Sequence, residues 1–198
     1  MWDQRYNNEE FAYGTEPNDF LKSEFAQIPK GGKVLCLAEG EGRNAVFLAK
    51  QGYDVTAVDQ SPVGLVKATK FAAQNGVKIS TIVADLNDYD LGENCWDGIV
   101  SIAAHVPSFL RKQIHTQTVR SLSDNGVFIL EAYTEKQLEM DGIGGPPNKE
   151  LLMSLAELKE ELTDLEFVIG QEVERHISEG QYHQGESAVV QVVARKSV

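Results

Sequence analysis

One stretch constrains the fold more than any other. Val34 to Ser61 reads VLCLAEGEGRNAVFLAKQGYDVTAVDQS. The apolar run KVLCLA, Lys33 to Ala38, has strand length and suits a strand buried on both faces. Gly40 and Gly42 then allow a tight turn and a close backbone approach without a Cβ clash. RNAVFLAKQG follows as a helix, with Gly52 placed as its C-terminal glycine. DVTAVD is a second strand, closed by Asp59. A strand, a helical crossover and a second strand form the unit of a parallel sheet, in which ligands gather at the carboxyl ends of the strands where strand order reverses.

The pattern repeats along the chain. EPNDFLKSEFAQIP is a short amphipathic helix ending at Ile28-Pro29. Ser61-Pro62 reads as an N-cap followed by proline at the first helical position, and that helix runs to Asn75-Gly76. ISTIVADL is a third strand and WDGIVSIAA a fourth. PSFLRKQIHTQTVRSL is a helix with Phe109, Leu110, Ile114, Val119 and Leu122 near helical spacing, and GVFILEAY is a fifth strand. GIGGPPNKE, Gly142 to Glu150, is a loop, and SLAELKEEL is a helix opened by the capping box of Ser154 and Glu157. EFVIGQEVERHI and SAVVQVVARK then stand with no helix between them, which reads as an antiparallel hairpin around SEGQYHQGE. The whole describes an α/β chain with an open, mostly parallel sheet ending in a hairpin.

The chain has 198 residues and a net charge of -12. That length fits one domain. The acidity repels a polyanion and argues against nucleic acid. No run of about 18 apolar residues is present, so no membrane partner is expected. MWDQRYNNEE lacks the basic and apolar pattern of a signal peptide, and a cytoplasmic protein is expected. Cys36 and Cys95 both lie in apolar runs and read as buried free thiols.

The glycine turn admits two cofactors. GEGRNA fits G-x-G-x-x-A, a dinucleotide fingerprint that holds a pyrophosphate at a helix N-terminus. Glu39 and Glu41, however, place two carboxylates in that turn and would repel a pyrophosphate. They suit a ligand with a cationic end, such as S-adenosylmethionine with its sulfonium and ammonium groups. Asp59 can accept both ribose hydroxyls of an adenosine. Asp85 closes the third strand, where it can accept from an adenine amino group while the Leu86 N–H faces a ring nitrogen. A second acid at that place is not needed by a dinucleotide fold.

These residues resemble the class I S-adenosylmethionine-dependent methyltransferases. VLCLAEGEG resembles the family's first glycine motif, Asp59 its ribose acid and Asp85 its adenine acid. WDGIVSI resembles its fourth motif and GVFILEAY its fifth strand. The resemblance implies a Rossmann-like, doubly wound, seven-stranded, mostly parallel sheet closed by an antiparallel hairpin. Together with the N-terminal aromatic segment containing YGTEP, Tyr13 to Pro17, the stretch GEGRNAVFLAKQGYDVTAVDQS most resembles small-molecule methyltransferases of the tellurite-resistance and thiopurine type. The implied cofactor-binding residues are Glu39, Gly40, Glu41, Gly42, Asp59, Gln60, Ser61, Ala84, Asp85, Leu86, Ser101 and Tyr13. Two departures stand in the first motif: Cys36 where an acid is usual and Ala38 where the first glycine is usual. Glu39 is expected to take over part of that acid's role.

The implied layout is one methyltransferase domain over 1–198. Residues 1–30 form a segment over the site, 30–135 the cofactor-binding core, and 136–198 a helix and hairpin on the substrate side. Trp2, Tyr6 and Tyr13 can offer aromatic faces to a sulfonium, and Arg5 can pair with the cofactor carboxylate. The loop 142–150 can cover the acceptor. His105, after the fourth strand, and His176, near a histidine of the tellurite-resistance relatives, are the catalytic candidates. His115 and His183 read as surface residues. No histidine spacing suggests a metal. The expected activity is methyl transfer from S-adenosylmethionine to a small-molecule acceptor by a monomer or homodimer. A NAD(P)-dependent oxidoreductase and a cofactor-binding protein without catalysis remain open.

Overall fold

The structure is a computed structural model that describes residues 2–198; Met1, the first residue of the expected lid segment, lies outside them. Seven strands form one sheet: β1 Lys33–Leu37, β2 Asp54–Asp59, β3 Ser80–Val83, β4 Trp96–Ile102, β5 Leu122–Tyr133, β6 Leu165–Glu179 and β7 His183–Lys196. Their order is β3-β2-β1-β4-β5-β7-β6. The pairs from β3 to β5 are parallel, and β7 is antiparallel to both β5 and β6. Strand order reverses between β1 and β4, which puts a ligand crevice at their carboxyl ends.

Among the described residues six α-helices accompany the sheet: α1 Trp2–Tyr6, α2 Asp19–Glu24, α3 Arg43–Lys50, α4 Pro62–Gln74, α5 Ser108–Ser121 and α6 Leu155–Glu161. Alternation along β1 explains the two layers. Val34 and Cys36 face a core shared with Phe20, Leu21, Ala45, Leu48 and Leu65 from α2, α3 and α4. Leu35 and Leu37 face the other core, with Leu110 and Ile114 of α5 and Leu158 of α6. The caps form as their sequences require: the Ser61 side chain accepts from the Gly64 N–H, and Ser154 and Glu157 close a reciprocal capping box. Gly52 takes φ 93° after α3.

Four expectations are corrected. Cys36 is buried, but Cys95 is exposed, because it precedes β4 rather than lying in it. Phe109 is 65% exposed: the core-facing stripe of α5 begins at Leu110. His115 is not a surface residue; it is buried with its Nδ1 2.6 Å from Glu161, which also takes Arg111. The turn SEGQYHQGE is mostly strand. Pairing continues to Glu179↔His183, leaving only Gly180 to Tyr182 as the loop. Since β5 pairs with β7 only from Val189 to Arg195, the outer part of the β6-β7 hairpin extends past the sheet as a two-stranded arm.

Candidate functional site

The glycine turn is held from two sides by carboxylates. Gly40 and Gly42 take φ 61° and 88°, conformations that cost an L side chain about 1–2 kcal/mol. Asp59 sits at the end of β2, buried, and accepts from the Gly40 and Ser61 N–H groups at 2.8 Å each. Burial raises its pKa against those bonds. Glu39 accepts from the Ala45 N–H in the first turn of α3 at 2.7 Å. Burial pushes its carboxyl up to about 7, while the Ala45 bond and the nearby Arg43 pull it back. Glu39 thus fixes the junction of turn and helix, although Cys36 offers no charge beneath it.

Above the turn lies a cleft. Of the expected cofactor residues, Tyr13, Glu39, Asp59, Gln60, Ala84, Asp85 and Leu86 line it, and so does His105. Asp85 is exposed and accepts from the Asn87 N–H at 2.9 Å. Leu86 contributes an apolar wall. Gly40, Glu41, Gly42, Ser61 and Ser101 do not line the cleft. The glycines lie under it, where Tyr6 and Ala68 occupy the space a Cβ would need. Ser61 is spent on capping α4 and on Asp3, and Ser101 is buried in β4.

Glu41 points away from the cleft, against the expectation from its place in the turn. It accepts from the Ala12 N–H at 2.8 Å and pairs with Lys67. Lys67 also donates to the Asn8 and Glu10 carbonyls at 2.8 and 2.9 Å. This clasp holds one side of the N-terminal strap. On the other side the Gln181 N–H donates to the Ala12 carbonyl, and Tyr13 packs on His183 with ring centroids 4.5 Å apart. Trp2, Tyr6 and Tyr13 line the cleft from the strap. Arg5 does not: its guanidinium lies 5.0 Å from the Trp2 ring and 4.6 Å from the Tyr182 ring, and donates to the Tyr13 hydroxyl at 2.7 Å.

The two catalytic candidates fare differently from expectation. His105 lines the cleft, but its Nδ1 contacts the Leu151 carbonyl at 2.8 Å and its Nε2 accepts from the Tyr133 N–H at 3.2 Å. Burial pushes its pKa down to about 4. With both nitrogens engaged, His105 ties β4 to β5 and to the Leu151 loop, and it is no free base. His176 is exposed on β6 and pairs with Glu186 at 2.9 Å. Alternation turns it outward, while Arg175 beside it faces inward to Glu131 at 2.6 Å.

His183 was expected on the surface. The hairpin arm instead brings it to the cleft, 8% exposed, with Nδ1 3.6 Å from Glu179. Glu179 pairs with Arg43 at 2.7 Å and accepts from Asn18 at 3.0 Å. Burial works against its charge, yet His183 and Arg43 hold its carboxyl well below the usual range. Only the register of the arm reveals this group: Gly180 in a short loop flanked by Glu179 and His183 is its one sequence signal. The loop 142–150 does not line the cleft; Ile143 bridges to Gln184, and Gly144 and Gly145 pack flat on Tyr133.

Backbone strain marks the same place. Four non-glycine residues take positive φ among the described residues: Ala38, Asn94, Ala103 and Asn125. Asparagine tolerates this in turns, alanine does not. Both alanines, at φ 48° and 54°, line the cleft, and strained backbone of this kind concentrates at functional sites.

Comparison with known proteins agrees with this geometry. Residues 34–126 match the methyltransferase domain family. Over 116 residues the chain is 34% identical to the Uncharacterized methyltransferase YbaJ of Bacillus subtilis, covering 58% of this chain and 45% of that protein. Over 147 residues it is 28% identical to the Probable S-adenosyl-L-methionine-dependent methyltransferase TehB of Haemophilus influenzae, covering 72% and 49%. The chain therefore spans about half the length of the curated relatives it matches. The crystal structure of TehB from Haemophilus influenzae superposes with a TM-score of 0.73 at 23% identity, covering 99% of this chain and 66% of that one. Residues 34–126 match a methyltransferase domain, and the chain shares the fold of the TehB crystal structure.

Proposed function

We propose that the protein transfers a methyl group from S-adenosylmethionine to a small-molecule acceptor. The observation that carries this reading is the cleft's charge arrangement: Asp59 and Asp85, at the ends of neighbouring strands, open into one cleft with Glu39 and the strap aromatics. Two strand-end carboxylates match the hydroxyls of a ribose and the amino group of an adenine. Glu39 and the faces of Trp2, Tyr6 and Tyr13 suit a sulfonium and an ammonium group. A pyrophosphate fits poorly, because the first turn of α3 already receives the Glu39 carboxylate on the Ala45 N–H.

S-adenosylmethionine supplies an activated methyl group with its own leaving group. The protein's tasks are then to hold the nucleoside, align the acceptor and exclude water. Asp59, Gln60, Ala84, Asp85 and Leu86 are the residues we assign to the nucleoside, with Glu39 and Tyr13 at its charged end. Gly40, Gly42, Ser61 and Ser101 support them from below. The strap, clasped by Glu41 and Lys67, excludes water. Net charge of -12 disfavours a nucleic acid acceptor. No helix among the described residues is long and apolar enough to cross a membrane, which is consistent with action in the cytoplasm. The test is transfer of labelled methyl from S-adenosylmethionine to a panel of thiols, phenols, amines and oxyanions. Label in a small product is expected. Cofactor binding with no transfer to any member would contradict the catalytic part of the reading.

A further inference from the structure

We propose that His183, backed by Glu179, takes the proton of the methyl acceptor, so that the acceptor is a small neutral molecule with an ionisable O–H or S–H rather than a preformed anion. This inference rests on the methyl-transfer reading above.

Geometry carries it first. The hairpin arm delivers both residues from opposite strands as a directly facing pair. His183 Nδ1 lies 3.6 Å from Glu179 Oε2, and Nε2 has no hydrogen-bond partner among the described residues. A base oriented by a carboxylate behind it is the arrangement general-base catalysis requires, and such contacts are often long before ligands bind. Glu179 is itself fixed by Arg43 and Asn18. The imidazole is fixed between Tyr13 and Tyr133, at ring centroid distances of 4.5 and 5.3 Å. His105, the other cleft histidine, has both nitrogens occupied.

Charge carries it next. Arg43 is the one lysine or arginine lining the cleft among the described residues, and Glu179 already neutralises it at 2.7 Å. An oxyanion that arrives already ionised would meet Glu39 and Asp59 with no free cation to hold it, whereas one formed in place by proton transfer faces the imidazolium of His183. Ile102, Ala103, Ala104 and Leu110 instead offer walls for a small apolar body. The groups around His183 are Glu179, Arg43, Arg5, Tyr13, Tyr133 and His105. Burial outweighs the pull of Glu179 and lowers the pKa of His183, leaving it neutral and able to accept a proton at pH 7.

The step balances. The acceptor's O–H or S–H gives its proton to His183 Nε2, and the heteroatom's electron pair forms the bond to the methyl carbon. The electron pair of the broken carbon–sulfur bond stays on sulfur. Glu179 stabilises the imidazolium, which then returns its proton to water.

The test uses the full chain saturated with S-adenosylhomocysteine and 4-nitrophenol as probe, at a pH below the phenol's own pKa. Phenolate absorbance reports ionisation without turnover. We expect saturable binding with the ionised fraction raised by about threefold or more over free solution, and no such rise in His183→Asn. In the parent alone, calorimetry in two buffers of different ionisation enthalpy should show no proton released, because His183 keeps it. No saturable binding of the phenol, an equal rise in the variant, or ionisation with release of the proton to buffer would each overturn the proposal. S-adenosylhomocysteine affinity is measured on the same samples. Loss of that binding in the parent refutes the methyl-transfer reading itself, and is thereby told apart from failure of the His183 assignment alone.

Discussion

Asp59→Ala removes a buried carboxylate that receives the Gly40 and Ser61 N–H groups at 2.8 Å each. Hydrogen bonds to a charged group contribute about 1.5 to 3 kcal/mol each. The raised pKa of Asp59 says that burial already opposes its charge, which offsets part of that gain. We expect a net loss of about 2 to 4 kcal/mol, and hence a fall in Tm of about 5 to 15 °C for a chain of this size. Asp85 provides the contrast. It is exposed and receives only the Asn87 N–H, so Asp85→Ala should lower Tm by no more than about 3 °C. Affinity for S-adenosylhomocysteine should fall in both. Loss of two ribose contacts in Asp59→Ala predicts a weakening of about a hundredfold or more, and loss of the single adenine contact in Asp85→Ala about tenfold. Melting without ligand and calorimetry well below Tm read the two effects separately. An Asp59→Ala protein that melts within about 2 °C of the parent and binds within about tenfold would refute the reasoning.

Ala38→Gly should leave Tm unchanged or raise it slightly: relief of a φ of 48° gains about 1 kcal/mol, less about 0.4 to 1 for the freer unfolded chain, and a clear fall in Tm would show that the strain is not there. Glu39→Gln keeps an acceptor for the Ala45 N–H but removes the charge. It should stabilise the protein at pH 8 by about 1 to 3 kcal/mol, because the parent's folded-state pKa of about 7 lies above the unfolded value and its ionised form is disfavoured there. The same variant should lose most of the parent's preference for cationic S-adenosylmethionine over neutral S-adenosylhomocysteine, measured by paired calorimetry. His105 has the opposite sign. Its folded pKa, about 4, lies below the unfolded value, so its contribution is present above about pH 6.5 and is lost as pH falls towards 4, by about 3 kcal/mol in all. Since Glu39 gains over an overlapping window, the difference in denaturant stability between parent and His105→Gln is the quantity to follow. That difference should shrink as pH falls from 7 to 4.5.

The repeating backbone was legible because each element had a local cause. Strand-length apolar runs, the Ser61 and Ser154 caps and Gly52 each act within a few residues, so β1, β2, α3, α4 and α6 follow from their own segments. The acids Asp59 and Asp85 were legible in place because Asp59 closes β2 and Asp85 follows the end of β3 by two residues, and these strand ends share one edge of the sheet. What escaped depends on partners distant in the chain. Arg43 is buried because Glu179 reaches it from the hairpin arm, and Glu41 turns away because Lys67 and Ala12 meet it behind the turn. Neither direction is encoded in the turn itself. α1 has five residues, too few for periodicity, and exists because Tyr6 packs over Gly40 and Gly64. His183 looked like a loop residue because its neighbours are polar. Polar residues continue a strand in the arm because the backbone N–H and C=O groups of β6 and β7 still pair with each other there.

Titration calorimetry of the full chain with S-adenosylhomocysteine and, separately, with NAD tests the central claim most directly. The account predicts saturable binding of S-adenosylhomocysteine at one site per chain, abolished or strongly weakened by Asp59→Ala, and no saturable heat with NAD. Saturable binding of NAD with none of S-adenosylhomocysteine would contradict it.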